Sequence, residues 1–245
     1  MAEEMTTGTR EWAGLWLSEE RFAPYLEACG GDADRAVELH EWNISLAQVL
    51  MRDVAHLEVA MRNAYDRALS DAWGGDAHWL LDDDSPVRRP LMRKAARGDL
   101  DLNRINRKII DAAVEKLPAG FTTGQLVSNL TLGFWVHLAD RSREAAIWRT
   151  ALYRAWPRGT RRKELLRALD GVLRVRNRVA HDERLFDPRR PELSPIGADA
   201  DAVRLFRELC PDAAARVLED DAMTPVERFL AENPAPADVR LYPLT

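Results

Sequence analysis

An all-α fold is predicted for this chain by three features of its sequence. A stretch from Asp32 to Trp73 contains neither Gly nor Pro, apolar residues recur every three or four positions in later segments, and no convincing alternating β pattern occurs anywhere. The long stretch is bounded by Gly31 and by Gly74-Gly75, with Asp32 and Asp34 as helix-start signals, and reads as one long helix. Within it Val37, Ile44, Met51 and Tyr65 fall on seven-residue steps, with Ala47, Val54, Met61 and Ala68 between them, a stripe suited to packing on other helices. Glu58 falls on the same stripe and Arg62 lies four residues further on, so an ion pair is expected to neutralise both where burial would be costly. Residues 82–90 read as a loop, 91–117 as one or two helices, and 118–124 as a connection. Leu126 to Trp156 is expected to be helical and rich in aromatics, ending at Pro157 to Thr160. A further helix runs from about Arg161 to Phe186, and a Pro-rich loop covers 187–197. Short helices follow at 199–209 and 211–220. After them, Thr224-Pro225-Val226-Glu227 has the form of a capping box with Pro at the first helical position.

The 245 residues, 46% of them hydrophobic, are enough to bury a substantial core, and one domain over 1–245 is expected. Cys29 and Cys210 stand apart from each other and from any Cys/His cluster. A disulfide scaffold and a structural zinc site are therefore excluded, and a reducing, cytoplasmic setting fits. No apolar run approaches the ~20 residues that cross a bilayer, and the opening residues MAEEMTTGTR have no leader-like pattern. His40, His56, His78 and His137 lack metal-ligand spacing, so neither a metal nor another cofactor is expected.

The net charge of −5 argues against nucleic acid only if it is evenly spread. Residues 141–190 hold 15 Lys plus Arg against six acids, a charge of +9, which leaves −14 on the remainder. Only four of the 35 cations are lysines. A GC-rich coding sequence would raise Arg throughout but does not explain its concentration in one fifth of the chain, and the guanidinium fork suits phosphate.

The basic block contains the one constellation with chemistry in it. In the helix expected at 161–186, Leu165, Leu166, Leu169, Val172 and Leu173 form an apolar face, and the same steps then land on Arg176, Asn177, Ala180 and His181. Asn177 and His181 stack on one side, and Arg176 lies about 100° round the helix with a long side chain. Arginine can hold a phosphate, asparagine can orient a hydroxyl, and histidine is the side-chain type that titrates near neutral pH. The bland alternative is a helix C-terminus whose Arg and His serve the last carbonyls while Asp182 and Glu183 make surface pairs.

The string from Val175 to Glu183, VRNRVAHDE, resembles the R-N-x-x-x-H motif of the HEPN superfamily. Three further stretches resemble its Abi-like (abortive infection) branch: LEVAMRNAYDRAL at Leu57 to Leu69, LTLGFWVHL at Leu130 to Leu138, and IWRTALYRAWP at Ile147 to Pro157. The matches run in order over about residues 35–186. The resemblance implies a HEPN-like helical bundle with an added long N-terminal helix and short C-terminal helices. It also implies a metal-independent endoribonuclease of the toxin or antiphage kind, with Arg176, Asn177 and His181 as catalytic residues, usually meeting a second copy's motif across a homodimer. RNA would be held by Arg174, Arg178, Arg184, Arg162 and Lys163, and the site supported by Glu58, Arg62 and Asn63. An antitoxin or a phage-derived activator is a possible partner, and no membrane is involved. Many relatives carry a second His after the motif His; this chain has Asp182 there. A module that binds RNA, a nucleotide or a protein without turnover is the alternative reading.

Overall fold

In the computed structural model, which describes residues 2–94, 98–218 and 222–242, the Gly- and Pro-free stretch is a single helix, Ala33–Ala72. It is preceded by α1 (Ala2–Leu17) and α2 (Glu19–Ala28) and is itself α3. Of the expected stripe, Ala47, Val54, Met61, Tyr65 and Ala68 are buried; Val37, Ile44 and Met51 are only half-buried, and Ala36, Leu39, Leu46, Leu50 and Leu57 hold the fully buried positions beside them. Glu58 is likewise half-buried. No ion pair joins it to Arg62, whose Nε is buried without a partner among the described residues.

The middle of the chain is more broken than its periodicity predicts. Where helix was expected over 91–117, Met92–Arg93 (β1) and Leu100–Asp101 (β2) pair antiparallel, and only Arg104–Glu115 (α4) is helical. The Asp101 carboxylate accepts the backbone N–H groups of Leu91 and Asn103, a local competitor to helix that holds this turn. The aromatic segment divides into α5 (Thr123–Asn129), α6 (Leu132–His137), 3-10 turns at Arg141–Arg143 and Leu152–Ala155, and a π turn at Glu144–Trp148. Next come α7 (Arg162–Ala180), α8 (Pro195–Leu209), α9 (Pro211–Val217) and α10 (Pro225–Glu232). The capping box opening α10 is made as expected: Thr224 Oγ1 accepts from Glu227 N at 3.3 Å, and Thr224 N donates to Glu227 Oε2 at 2.8 Å. The fold is thus mostly helical, and no helix among the described residues is long and apolar enough to cross a membrane.

The chain forms two compact units, the first from residues 1–54, 174–203 and 220–245, the second from 55–173 and 204–219. In the second, Tyr65, fully buried, meets Trp156 edge-on and accepts its indole N–H at 3.1 Å. Trp79 and Trp135, also fully buried, pack edge-on at 6.1 Å. Arg143, 4% exposed, donates to the carbonyls of His137 and Leu102, to Asn106 and to Asp140, and these bonds tie the loop before α4 to the break after α6. In the first unit, Trp42 donates to the Asn233 carbonyl at 2.8 Å, and Asn43 Oδ1 accepts Leu185 N at 2.7 Å.

The first unit also buries two acids, Asp53 on α3 and Asp199 on α8, at 2% and 0% exposure. Asp199 Oδ2 accepts Val226 N at the start of α10. As carboxylates, Asp53 Oδ2 and Asp199 Oδ1 would have no donor among the described residues; a proton on the pair would supply one. Burial, with the neighbouring Asp53 charge, pushes Asp199 up to about 7 although Thr224 and the Val226 amide draw it down. Burial likewise raises Asp53.

Candidate functional site

The motif residues occupy the C-terminal end of α7, and the way this helix stops decides where they point. The helix ends at Ala180, not Phe186. Asp182 N donates to the Val179 carbonyl at 3.0 Å and Glu183 N to the Arg178 carbonyl at 2.9 Å, a Schellman pair that places Asp182 in the left-handed region at φ 53. Glycine usually fills that position, but aspartate tolerates it better than most side chains. The buried face of α7 does not turn polar: Leu165, Leu169, Val172 and Val175 are all buried, while Asn177 and His181 are exposed. Of the polar residues expected to continue the apolar face, Asn177 and His181 therefore point outward, and Arg176 is half-buried.

His181 opens on a cleft of about 600 Å³ in the first unit. The inner side of α2 supplies Arg21, Pro24 and Tyr25, the end of α7 supplies Arg178, and the loop after it adds Arg184, Asp187 and Arg189. The loop is fixed at several points. Leu185 is bonded to Asn43, Phe186 is fully buried edge-on to Tyr25 at 5.3 Å, and the Arg184 guanidinium lies 5.4 Å from the Phe186 ring centre. Asp187, at φ 45, donates its N–H to the Arg240 carbonyl at 2.7 Å, and its carboxylate accepts Arg240 N at 3.1 Å. Four arginines face three acids here. Asp187 is engaged with Arg240, and Glu183 Oε2 lies 3.5 Å from Arg178 Nε. Burial draws the Arg178 guanidinium down from its usual range, and the Glu183 charge opposes that.

Among the catalytic residues expected from the sequence, only His181 lines this cleft. Arg176 bonds to the adjacent Asn177 Oδ1 at 3.4 Å, its Nε buried without a partner among the described residues. Helix geometry explains the separation: His181 lies about 60° round α7 from Arg178 but about 140° from Arg176, on the far flank. The expected RNA-binding residues also divide. Arg178 and Arg184 reach the cleft, and Arg174 and Lys163 are exposed along α7. Arg162 has a side chain 12% exposed, with its guanidinium held by Glu144 and the Ala139 carbonyl. Glu58, Arg62 and Asn63 belong to the second unit.

Tyr25, Arg21 and Pro24 escaped the sequence reading because α1 and α2 carry no long apolar repeat. The one signal was Ser18-Glu19-Glu20-Arg21, where Ser18 Oγ accepts Arg21 N at 3.5 Å and acids fill the first turn. The break before it is sharp, with Ser18 at φ 67. Among the described residues no group of three or more His, Cys, Asp or Glu is placed to hold a metal ion. No protein-family model, no curated protein and no solved structure matches this chain.

Proposed function

We propose that this chain is an Abi-like HEPN protein that cleaves RNA without a metal ion, acting in the cytoplasm as a toxin or antiphage effector, with His181 as the proton-transfer group. The observation that supports this best is an exposed histidine at the end of α7, set in the wall of a cleft with Arg21, Arg178, Arg184 and Arg189. In the reaction a ribose 2′-oxygen attacks the adjacent phosphorus, the bond to the 5′-oxygen breaks, and a 2′,3′-cyclic phosphate and a 5′-hydroxyl remain. The imidazole exchanges a proton with the attacking or the leaving oxygen, and guanidinium groups offset the charge that develops on the phosphoryl oxygens. Arg178 and Arg184 fill that second role in the cleft. Arg176, on the other flank, and the exposed Asn177 would act where the α7 ends of two copies meet in a homodimer. Control by an antitoxin or by a phage-derived activator belongs to the same reading.

The test is incubation of purified protein with total RNA in EDTA, wild type beside His181→Ala, with the product ends analysed. Cyclic phosphate ends from wild type, and at least a ~100-fold loss of cleavage in the variant, are expected from a general acid–base group. The exposed His181 side chain makes its removal a small perturbation of the fold. Loss of cleavage in EDTA, or undiminished cleavage by His181→Ala, would overturn the reading. Binding of RNA or a nucleotide without turnover is the second reading. It is favoured by Asp182, Glu183 and Asp187, which offset much of the arginine charge in the cleft.

A further inference from the structure

The inner wall of the cleft holds two polar groups that the fold leaves unsatisfied. Tyr25 is 4% exposed, and its Oη has no hydrogen-bond partner among the described residues. His40 and Phe186 both meet its ring edge-on at 5.3 Å, so packing holds the ring and the hydroxyl plays no part in that hold. Arg178 stands in the same wall, its side chain 15% exposed. One of its terminal nitrogens donates to the Arg184 carbonyl, but Nε is buried and makes no hydrogen bond among the described residues, the Glu183 carboxylate at 3.5 Å answering its charge only. An unpaired buried polar group costs about 1–3 kcal/mol, and such groups are rare enough that two on residues lining one hollow call for a cause.

Both orphans are donors. Guanidinium nitrogens never accept, and burial pushes the Tyr25 hydroxyl up to about 12, even though Arg184 and Arg178 draw it down, so its proton stays in place. An acceptor oxygen satisfies two donors, and Arg184 and Arg189, lining the same cleft, favour one that carries negative charge. We propose that Tyr25 and Arg178 form an oxyanion site in the inner wall of the cleft, which takes one phosphate group. Its position as a phosphate of bound RNA, next to His181, rests on the function proposed above; the anion site itself does not. The same chemistry would receive either a backbone phosphodiester or the terminal phosphate of a mononucleotide.

Tyr25→Phe keeps the ring and removes only the hydroxyl, so the fold is retained. Wild type and variant are titrated calorimetrically with inorganic phosphate, adenosine 5′-monophosphate, and a 2′-O-methyl dinucleotide whose one phosphate is a diester. Wild type should bind phosphate-bearing probes, and Tyr25→Phe should bind them about tenfold more weakly, the loss of one hydrogen bond to a charged acceptor. Tighter binding of the dinucleotide than of the monophosphate assigns the site to a backbone phosphate, and the reverse to a terminal one. The unliganded variant should melt no lower than wild type, since the lost hydroxyl had no partner. Arg178→Lys, which keeps the charge and removes Nε, should weaken binding in the same direction. Equal binding by Tyr25→Phe, no binding by wild type, or a lower melting point of the unliganded variant would each overturn the site. Phosphate binding without RNA cleavage leaves the anion site standing and removes the catalytic reading. RNA cleavage with binding unchanged in Tyr25→Phe does the opposite.

Discussion

The two units treat their buried polar groups differently. In the second unit Arg143 is bonded to two carbonyls, an amide and a carboxylate, His78 and Trp79 converge on Asp66 at 3.0 and 2.9 Å, and Trp156 donates to Tyr65. Its exceptions are single atoms: Arg62 Nε, Trp135 Nε1 and Arg143 Nε. In the first unit Tyr25 Oη, Arg178 Nε, Arg176 Nε, Asp53 Oδ2 and Asp199 Oδ1 are all buried and unpartnered among the described residues, and four of these five residues lie at the end of α7 or in the paired acids. A satisfied network is architecture, because breaking it exposes the full desolvation penalty of what remains. In the first unit the unsatisfied groups gather in two places, the buried acid pair and the end of α7 with the cleft beside it.

The sharpest way to break this contrast is Arg143→Met. Removing the hub strands the Leu102 carbonyl and Asn106 Oδ1, while Asp140 keeps His137 and solvent, and a loss of about 3 kcal/mol is expected in urea unfolding. A loss under ~1 kcal/mol would show that the network does not carry the second unit.

Next in size is the acid pair. A carboxyl whose folded value is raised contributes stability below the ordinary carboxylate range and loses it as pH climbs through the folded value, here about 7 for Asp199. Thermal unfolding should therefore show stability falling by on the order of 2 kcal/mol between pH 5 and pH 8 from this group. Asp199→Asn, whose amide cannot ionise, should flatten that slope. An unchanged slope in the variant would mean that the two acids do not share a proton.

The smallest effect compares the caps. Thr122→Ala in the second unit removes the hydroxyl that accepts Gln125 N at 3.2 Å and should cost about 1 kcal/mol. Thr224→Ala should cost somewhat more, because its hydroxyl also serves the Asp199 carboxyl. Equal losses would place Thr224 among ordinary caps.

The long helix, the capping box at Thr224 and the all-α class were legible because each rests on local chemistry: absence of Gly and Pro, a hydroxyl three residues before a glutamate, apolar spacing near 3.6. The aromatic segment was not. Its spacing suits a helix, but its break into two short helices and three turns is set by contacts far along the chain, among them Arg143 reaching Leu102. The end of α7 was misplaced for a related reason: nothing in Arg178 to Phe186 is Gly or Pro, and the stop depends on Asp182 accepting the left-handed region. His181 was singled out by its motif. Its cleft neighbours Tyr25 and Arg21 come from a helix well over a hundred residues away, with no pattern linking them to it.

By itself the sequence determined the elements whose stability is local, and it placed a histidine and several arginines near the end of one helix. It could not determine which of those groups meet, because a helix fixes angles only along its own axis. Tertiary structure decided that His181 shares a cleft with Arg178, Arg184 and Tyr25, and that two acids with unremarkable local sequence share one buried site. Burial and orphaned hydrogen bonds depend on what the rest of the chain brings alongside, and that is a property of packing.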